Sequence, residues 1–111
     1  MLDLVTFYSD PGEAIVDPFA GAGTTGLAAR LLGRDALLIE QDATWAAQSE
    51  ARCTGALSER DTEAALAWVE STCEQADKEL ADKTSTENAI RRALSRLDDA
   101  GRCYRAVQEA A

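Results

Sequence analysis

The sequence predicts an α/β fold in which a short strand–helix–strand (βαβ) unit is followed by a helical hairpin. In the first half of the chain, two short apolar runs, at residues 14–16 and 36–39, flank a glycine-rich turn and a helical stretch. From residue 58 onward, apolar residues recur three and four positions apart, which is the spacing of one helix face. We therefore divide the chain into a βαβ segment, residues 1–56, and an acidic helical extension, residues 57–111.

Turn-forming residues set the expected limits of the first elements. The apolar stretch at residues 2–7 predicts the end of a helix, which stops at the turn Ser9-Asp10-Pro11-Gly12. Ala14-Ile15-Val16 then predicts a buried strand, because Pro18 cannot continue a strand pairing. This arrangement makes residues 14–16 the first strand of the βαβ unit.

Capping signals define the next helices. Thr24 or Thr25 is expected to cap the helix that follows the glycine-rich turn, and Gly33 stands where a left-handed residue ends it. The apolar run at residues 36–39 predicts a second strand, parallel to the first. Asp42 is then positioned to cap a third helix.

The second half of the chain predicts two helices, each with an apolar seam. The seam residues are Leu66, Val69, Cys73, Ala76 and Leu80 on the first helix and Ile90, Leu94, Leu97, Gly101 and Tyr104 on the second. Thr84 and Glu87 match a capping box, so the turn is expected at residues 82–85. We expect the seam to close an antiparallel hairpin within the chain, with a dimerisation surface as the alternative.

Composition limits the classes of function. With 20 acidic and 11 basic residues, the chain has a net charge of −9 and is a poor candidate for the main surface that grips DNA. Cys53, Cys73 and Cys103 are widely spaced and the chain has no histidine, so we expect free thiols and no metal. No apolar run is long enough for a membrane span, which favours a cytoplasmic protein.

The glycine-rich turn carries the strongest functional signal. Gly21-Ala22-Gly23-Thr24-Thr25-Gly26 satisfies G-x-G-x-x-G between a predicted strand and a predicted helix, and Glu40 follows at the end of the next strand. Glycines let the backbone approach a nucleotide-like ligand, and a carboxylate in this position accepts hydrogen bonds from ribose hydroxyls. The carboxylate of Asp17 ahead of the glycines disfavours a pyrophosphate.

At this point the chain resembles a known family. The segment from Asp17 to Gly26 looks like the cofactor motif of the DNA N6-adenine and N4-cytosine methyltransferases, and residues 9–12 and 39–42 are also similar to that family's pattern. The resemblance covers about residues 4–53. It implies a Rossmann-like methyltransferase unit that binds S-adenosylmethionine.

The resemblance also implies a set of cofactor-binding residues, which are Asp17, Phe19, Gly21, Gly23, Thr24, Thr25, Glu40, Asp42 and Trp45. Asp17 and Phe19 would flank the methionine part, Glu40 would hold the ribose, and Asp42 with Trp45 would lie near the adenine. The two glycines would allow close approach, and the two threonines would offer hydroxyl groups.

The family's catalytic motif, a polar residue followed by Pro-Pro and an aromatic, does not occur in this sequence, and only 16 residues precede Asp17. The chain thus looks like the C-terminal, cofactor-binding part of a member with permuted motif order. We expect it to be inactive alone and to need a partner that supplies catalysis and DNA recognition. The alternatives are a non-catalytic remnant that serves assembly or regulation and, less favoured, a small dinucleotide-binding module.

Two parallel strands need cover on both faces, and the single helix between them covers only one face. The missing layer is expected to come from the hairpin, from a second copy or from a separate catalytic subunit. The protein is accordingly expected to be unstable as a lone monomer and to form a homodimer or to bind such a subunit.

Overall fold

The structure, a computed structural model, describes residues 1–110 and is predominantly helical with one small parallel sheet. Its elements in chain order are α1 (Leu2–Tyr8), β1 (Ala14–Asp17), α2 (Thr24–Leu31), β2 (Asp35–Leu38), α3 (Ala43–Thr54), α4 (Glu59–Ala81) and α5 (Glu87–Ala110). This mixture agrees with the predicted α/β class. Within residues 1–110, none of the helices is both long and apolar enough to cross a membrane.

The two strands pair in parallel, with Val16 opposite Leu37 and Asp17 opposite Leu38. The pairing continues past the strands, since the amide of Ile39 donates to the carbonyl of Asp17 at 2.9 Å. The helix α2 packs on one face of this sheet. On the other face Val16, Leu37 and Ile39 are 59%, 59% and 51% exposed. We call these three residues the open sheet face.

The glycine-rich turn begins α2 differently from the sequence prediction. The N-cap residue is Gly23, in the left-handed region at φ 83°. The prediction that Thr24 or Thr25 caps this helix is therefore wrong. The hydroxyl of Thr25 donates instead to Asp17 at 2.7 Å, and that of Thr24 accepts from Arg52 at 3.1 Å. A left-handed glycine can lead the chain directly into the helix, which leaves both hydroxyls available for tertiary contacts.

Other predicted helix ends are confirmed. Gly33 lies just beyond α2 at φ 72°, a conformation that a glycine adopts without strain. Asp42 caps α3, since its carboxylate accepts a hydrogen bond from the amide of Trp45 at 3.0 Å. The helical pattern predicted from residue 58 onward also begins as expected, and Ser58 caps α4 by accepting the amide of Asp61, a cap that the sequence analysis did not predict.

The turn between α4 and α5 lies where the sequence predicted it, but the capping residue differs. The hydroxyl of Thr86 accepts a hydrogen bond from the amide of Ala89 at 3.2 Å. Thr84 contributes to the turn itself, where its amide and hydroxyl both donate to the carboxylate of Asp82, at 2.9 and 2.7 Å. The predicted capping box of Thr84 with Glu87 is therefore wrong, because Asp82 holds Thr84 outside the helix.

The hairpin closes within the chain, as expected, but the predicted seam is confirmed only in part. Of its residues, Ala76 is buried and four are half-buried, namely Val69, Cys73, Leu97 and Gly101, while the rest are exposed. The residues buried along the two helices are mostly small, namely Ala65, Thr72, Ala76, Ala93, Ala100 and Cys103. Small side chains let the two helix backbones approach closely. Five large residues of the predicted seam are 36–50% exposed, namely Leu66, Leu80, Ile90, Leu94 and Tyr104. Leu66 and Leu94 lie about 100° around the helix from the buried residue before them, and Leu80 and Tyr104 lie about 40° from the buried residue four positions earlier.

One hydrophobic core joins both halves of the chain. Its buried members come from α1, α2, α4 and α5 and are Val5, Leu27, Ala28, Leu31, Leu32, Ala65, Cys103 and Val107. The hairpin thus packs against the helical side of the βαβ unit. Of the three sources considered for the missing layer, the hairpin is excluded in the described chain, because the open sheet face stays exposed on the other side.

A buried ion pair ties these parts together. The guanidinium of Arg34 binds the carboxylate of Asp99 on α5 through both nitrogens, at 2.5 and 3.1 Å. Both side chains are 1% exposed. Arg34 also donates to the carbonyls of Leu32 and Ser9, each at 2.7 Å, and to the hydroxyl of Ser9 at 3.0 Å. One side chain thereby fixes the end of α1, the start of β2 and the middle of α5.

We predict that Asp99→Asn lowers the free energy of unfolding by about 3 to 5 kcal/mol, because it leaves the Arg34 cation buried without its counter-charge. Urea denaturation measures the change. The matched control is Asp98→Asn, since Asp98 is the exposed neighbour on the same helix. Equal effects of the two substitutions would contradict the importance of the ion pair.

Candidate cofactor site

The carboxyl ends of β1 and β2 meet the glycine-rich turn, and two of its glycines have distinct steric roles. At Gly21, φ is 53° and a Cβ would point into open space, so this backbone is accessible to a ligand. At Gly23, φ is 83° and a Cβ would lie 2.8 Å from the Cα of Ser49. Gly23 is therefore required for the close packing of the turn against α3, and Gly21 for access to the turn.

Glu40 connects the turn to α3. One carboxylate oxygen accepts the amide of Gly21 at 2.7 Å, and the other accepts the amide of Asp42 at 3.1 Å. A carboxylate has about four acceptor positions, so this orientation leaves capacity for further donors. These two hydrogen bonds hold the side chain in one position just beyond the end of β2.

Asp17 occupies the corresponding position at the end of β1. Its carboxylate accepts the hydroxyl of Thr25 at 2.7 Å and the amide of Phe19 at 3.0 Å. Thr25 is buried, whereas the ring of Phe19 is 87% exposed. The structure thus presents a fixed carboxylate beside an exposed aromatic ring at the mouth of the first strand.

A small cavity lies between the end of β2 and α3. Its volume is about 210 Å³ and its lining includes Glu40, Ser49 and Cys53. Typical small-molecule sites measure about 300 to 1,000 Å³, so this cavity is smaller than a complete site. A larger cavity, of about 500 Å³, lies at the other end of β1, between α1 and α5, and is lined by residues such as Phe7 and Arg96.

The structure therefore does not bring all the predicted site residues into one pocket. Glu40 lines the small cavity, and Asp42 and Trp45 lie at the start of the neighbouring helix α3. Asp17 and Phe19 lie at the end of β1, outside that lining. The candidate residues lie across the carboxyl ends of the two strands, which is where ligands bind in open parallel sheets, and we call this region the cofactor crevice.

The sequence reasoning missed Arg52, which supports the turn from behind. Its guanidinium donates to the carbonyl of Ala22 and to Thr24, both at 3.1 Å, and pairs with Asp61 of α4 at 2.9 Å. The hydrogen bond from Arg52 is the main reason why the pKa of Asp61 lies below its ordinary value, and the same bond raises the pKa of Arg52. No spacing rule predicts this contact, since it joins a helix end to a loop and to another helix.

Two of the cysteines are packed against other parts of the protein. Cys53 lies against the turn, with its sulfur 3.8 Å from the carbonyl of Gly23, and burial raises the pKa of its thiol. Cys103 is buried in the core, where burial and, second, the nearby Asp99 raise its pKa to about 11. The thiols of both residues therefore stay protonated and unreactive near neutral pH.

Comparison with known proteins agrees with the resemblance of the first segment. A family model described as DNA methylase matches residues 1–51, a little under half of the chain. This segment contains β1, the glycine-rich turn, β2 and most of α3. The match supports a relationship of this segment to the DNA methylase family. No solved structure matches the chain.

We predict that Gly23→Ala destabilises the protein more than Gly12→Ala does. Both glycines have nearly the same φ, 83° and 84°, so alanine carries a similar backbone cost of about 1 to 2 kcal/mol at each position. A Cβ at Gly12 meets nothing within 4 Å, whereas one at Gly23 must displace the backbone of α3. Urea denaturation of both variants tests the difference, and equal losses would show that the contact with Ser49 relaxes freely.

Proposed function

We propose that this chain binds S-adenosylmethionine as the cofactor-binding portion of a Rossmann-like DNA amino-methyltransferase acting on N6 of adenine or N4 of cytosine. The observation that carries the proposal is the carboxylate of Glu40, which Gly21 holds at the end of β2. It stands in a segment that is similar to the DNA methylase family.

Charge favours this cofactor over a dinucleotide. Asp17, Glu40 and Asp42 place three carboxylates around the ends of the two strands. S-adenosylmethionine carries a sulfonium and an ammonium group, which such carboxylates attract, whereas the pyrophosphate of a dinucleotide would be repelled. The amino end of α2 is available for the single carboxylate of the methionine part.

Each of the site residues would contact a different part of the cofactor. Glu40 would accept hydrogen bonds from the ribose hydroxyls with its remaining lone pairs. Asp17 and Phe19 would flank the methionine part, and Asp42 and Trp45 would lie beside the adenine. Gly21 would allow close approach, as its open surroundings permit.

The other loop residues would support the site indirectly. Gly23 fits the turn against α3. The hydroxyls of Thr24 and Thr25 already bond Arg52 and Asp17, so their first role would be to fix the loop and the Asp17 carboxylate.

We further propose that a separate catalytic subunit completes the enzyme. The sequence lacks the Pro-Pro-aromatic motif, and the acidic chain is poorly suited to hold DNA itself. The open sheet face offers an apolar surface next to the cofactor crevice for such a subunit. DNA would then be bound only through the partner.

A non-catalytic remnant that serves assembly or regulation is the second candidate. The small volume of the cavity beside Glu40 favours it, because that cavity alone is below the range of complete small-molecule sites. The two candidates differ in whether the lone chain binds the cofactor at all.

Titration calorimetry with S-adenosylmethionine and, separately, with NAD is the test of cofactor identity. We expect binding of S-adenosylmethionine, weakened by roughly 1.5 to 3 kcal/mol in Glu40→Gln, because the charge-assisted hydrogen bonds are lost. The control is Asp35→Asn, which removes a carboxylate at the opposite end of β2. Tighter binding of NAD would contradict the assignment, and heat from neither ligand would favour the remnant.

An assay of methyl transfer to DNA tests whether the chain needs a partner for activity. The purified chain, incubated with radiolabelled S-adenosylmethionine and mixed-sequence DNA, is expected to transfer no label, because it carries no catalytic motif. Label in the DNA that disappears in Asp17→Asn would show that the chain is active without a partner.

A further inference from the structure

The outer side of the α4–α5 hairpin carries an apolar stripe. Leu66 and Leu80 on α4 and Ile90, Leu94 and Tyr104 on α5 are 36–50% exposed, and we call these five residues the hairpin stripe. Exposed apolar residues that occur singly need no explanation, but a stripe along two adjacent helices marks an interaction surface.

The stripe lies on one side of the hairpin, away from the core. Leu66 and Leu94 each directly follow a buried residue, so each lies about 100° around its helix from that residue, and Tyr104 lies between this position and the buried side of α5. The buried sides of α4 and α5 contact each other and α2. Because α4 and α5 run antiparallel, a displacement in the same sense around each helix brings the stripe residues of both helices to the same outer side of the hairpin.

Charge along the two helices differs in sign. The α4 segment, residues 59–81, holds seven acidic and two basic residues, a net charge of −5. The α5 segment, residues 87–110, holds four acidic and five basic residues, a net charge of +1. Beside the apolar stripe, α4 presents Glu70 and Asp77, whereas α5 presents Arg91 and Arg105 with Asp98 between them, and all five are exposed.

We infer that the hairpin stripe binds a second copy of this chain. A two-fold axis through the stripe places α4 of one copy beside α5 of the other, and the same contact occurs twice. The apolar residues then form the centre of a four-helix bundle, and the acidic edge of α4 faces the basic edge of α5. The opposite pairing, α4 beside α4, would bring the acidic edges together.

This association is independent of the proposed cofactor function. It uses the outer side of the hairpin and leaves the open sheet face and the ends of β1 and β2 free. A dimer formed in this way would therefore carry two cofactor crevices and two open sheet faces.

Sedimentation velocity over a range of concentrations tests the proposal on the full chain. We expect a reversible dimer whose dissociation constant rises by about 30-fold or more in Leu94→Glu, as for a central interface residue. Val16→Glu is the matched control, since Val16 is also a large exposed apolar residue but lies on the open sheet face. Circular dichroism confirms that both variants keep their helices.

Charge exchange gives a second, independent test. Glu70→Lys/Asp77→Lys and Arg91→Glu/Arg105→Glu should each be monomeric, because like charges then face each other across the bundle. A mixture of the two variants should form a heterodimer of one copy each. The proposal is overturned by a wild-type chain that is monomeric at all concentrations. It is likewise overturned if Val16→Glu dissociates the dimer while Leu94→Glu does not, or if both charge variants still self-associate.

Discussion

The ion pair between Arg34 and Asp99 is the interaction on which the arrangement of the whole chain depends. Both side chains of the pair are buried, and the two residues are 65 positions apart in the sequence. The same guanidinium holds Ser9, so α1, the start of β2 and α5 share one anchor. A buried ion pair contributes little net stability compared with apolar packing, but it permits only one alignment of its partners. In a chain whose core is rich in alanine, this directional contact fixes how the hairpin sits on the βαβ unit.

The glycine-rich turn depends on a second set of polar contacts. Arg52 reaches the turn from α3 and continues to Asp61 of α4, and Glu40 reaches it from β2. Contacts within the chain therefore hold the turn from several elements. Such preorganisation lowers the entropic cost of binding, because the loop has already lost its freedom on folding. It also explains how a crevice with little enclosure can still present its carboxylates in fixed positions.

Much of the fold could be predicted from local signals. The strands, the end of α2 at Gly33 and the cap of α3 at Asp42 each follow from residues within a few positions of one another. The prediction failed where tertiary contacts compete with local ones. Thr24 and Thr25 bond other parts of the chain instead of capping α2, and the alanines of the hairpin are buried in preference to its leucines. The sequence indicated which residues could bind a cofactor. It could not indicate the contacts of Arg34 and Arg52, or that the candidate residues do not share one cavity, because these depend on distances between residues far apart in the chain.

The shared core has a consequence for the order of events during synthesis. Cys103 and Val107 pack in the same cluster as Val5 and Leu27, so the cluster is closed by residues at the two ends of the chain. The βαβ segment emerges from the ribosome first, and α2 packs there against both strands, α1 and α3, but its contacts with α5 form only when α5 has been made. Until then the side of α2 that faces α5 lacks its native cover, so closing this cluster requires contacts between residues far apart in sequence.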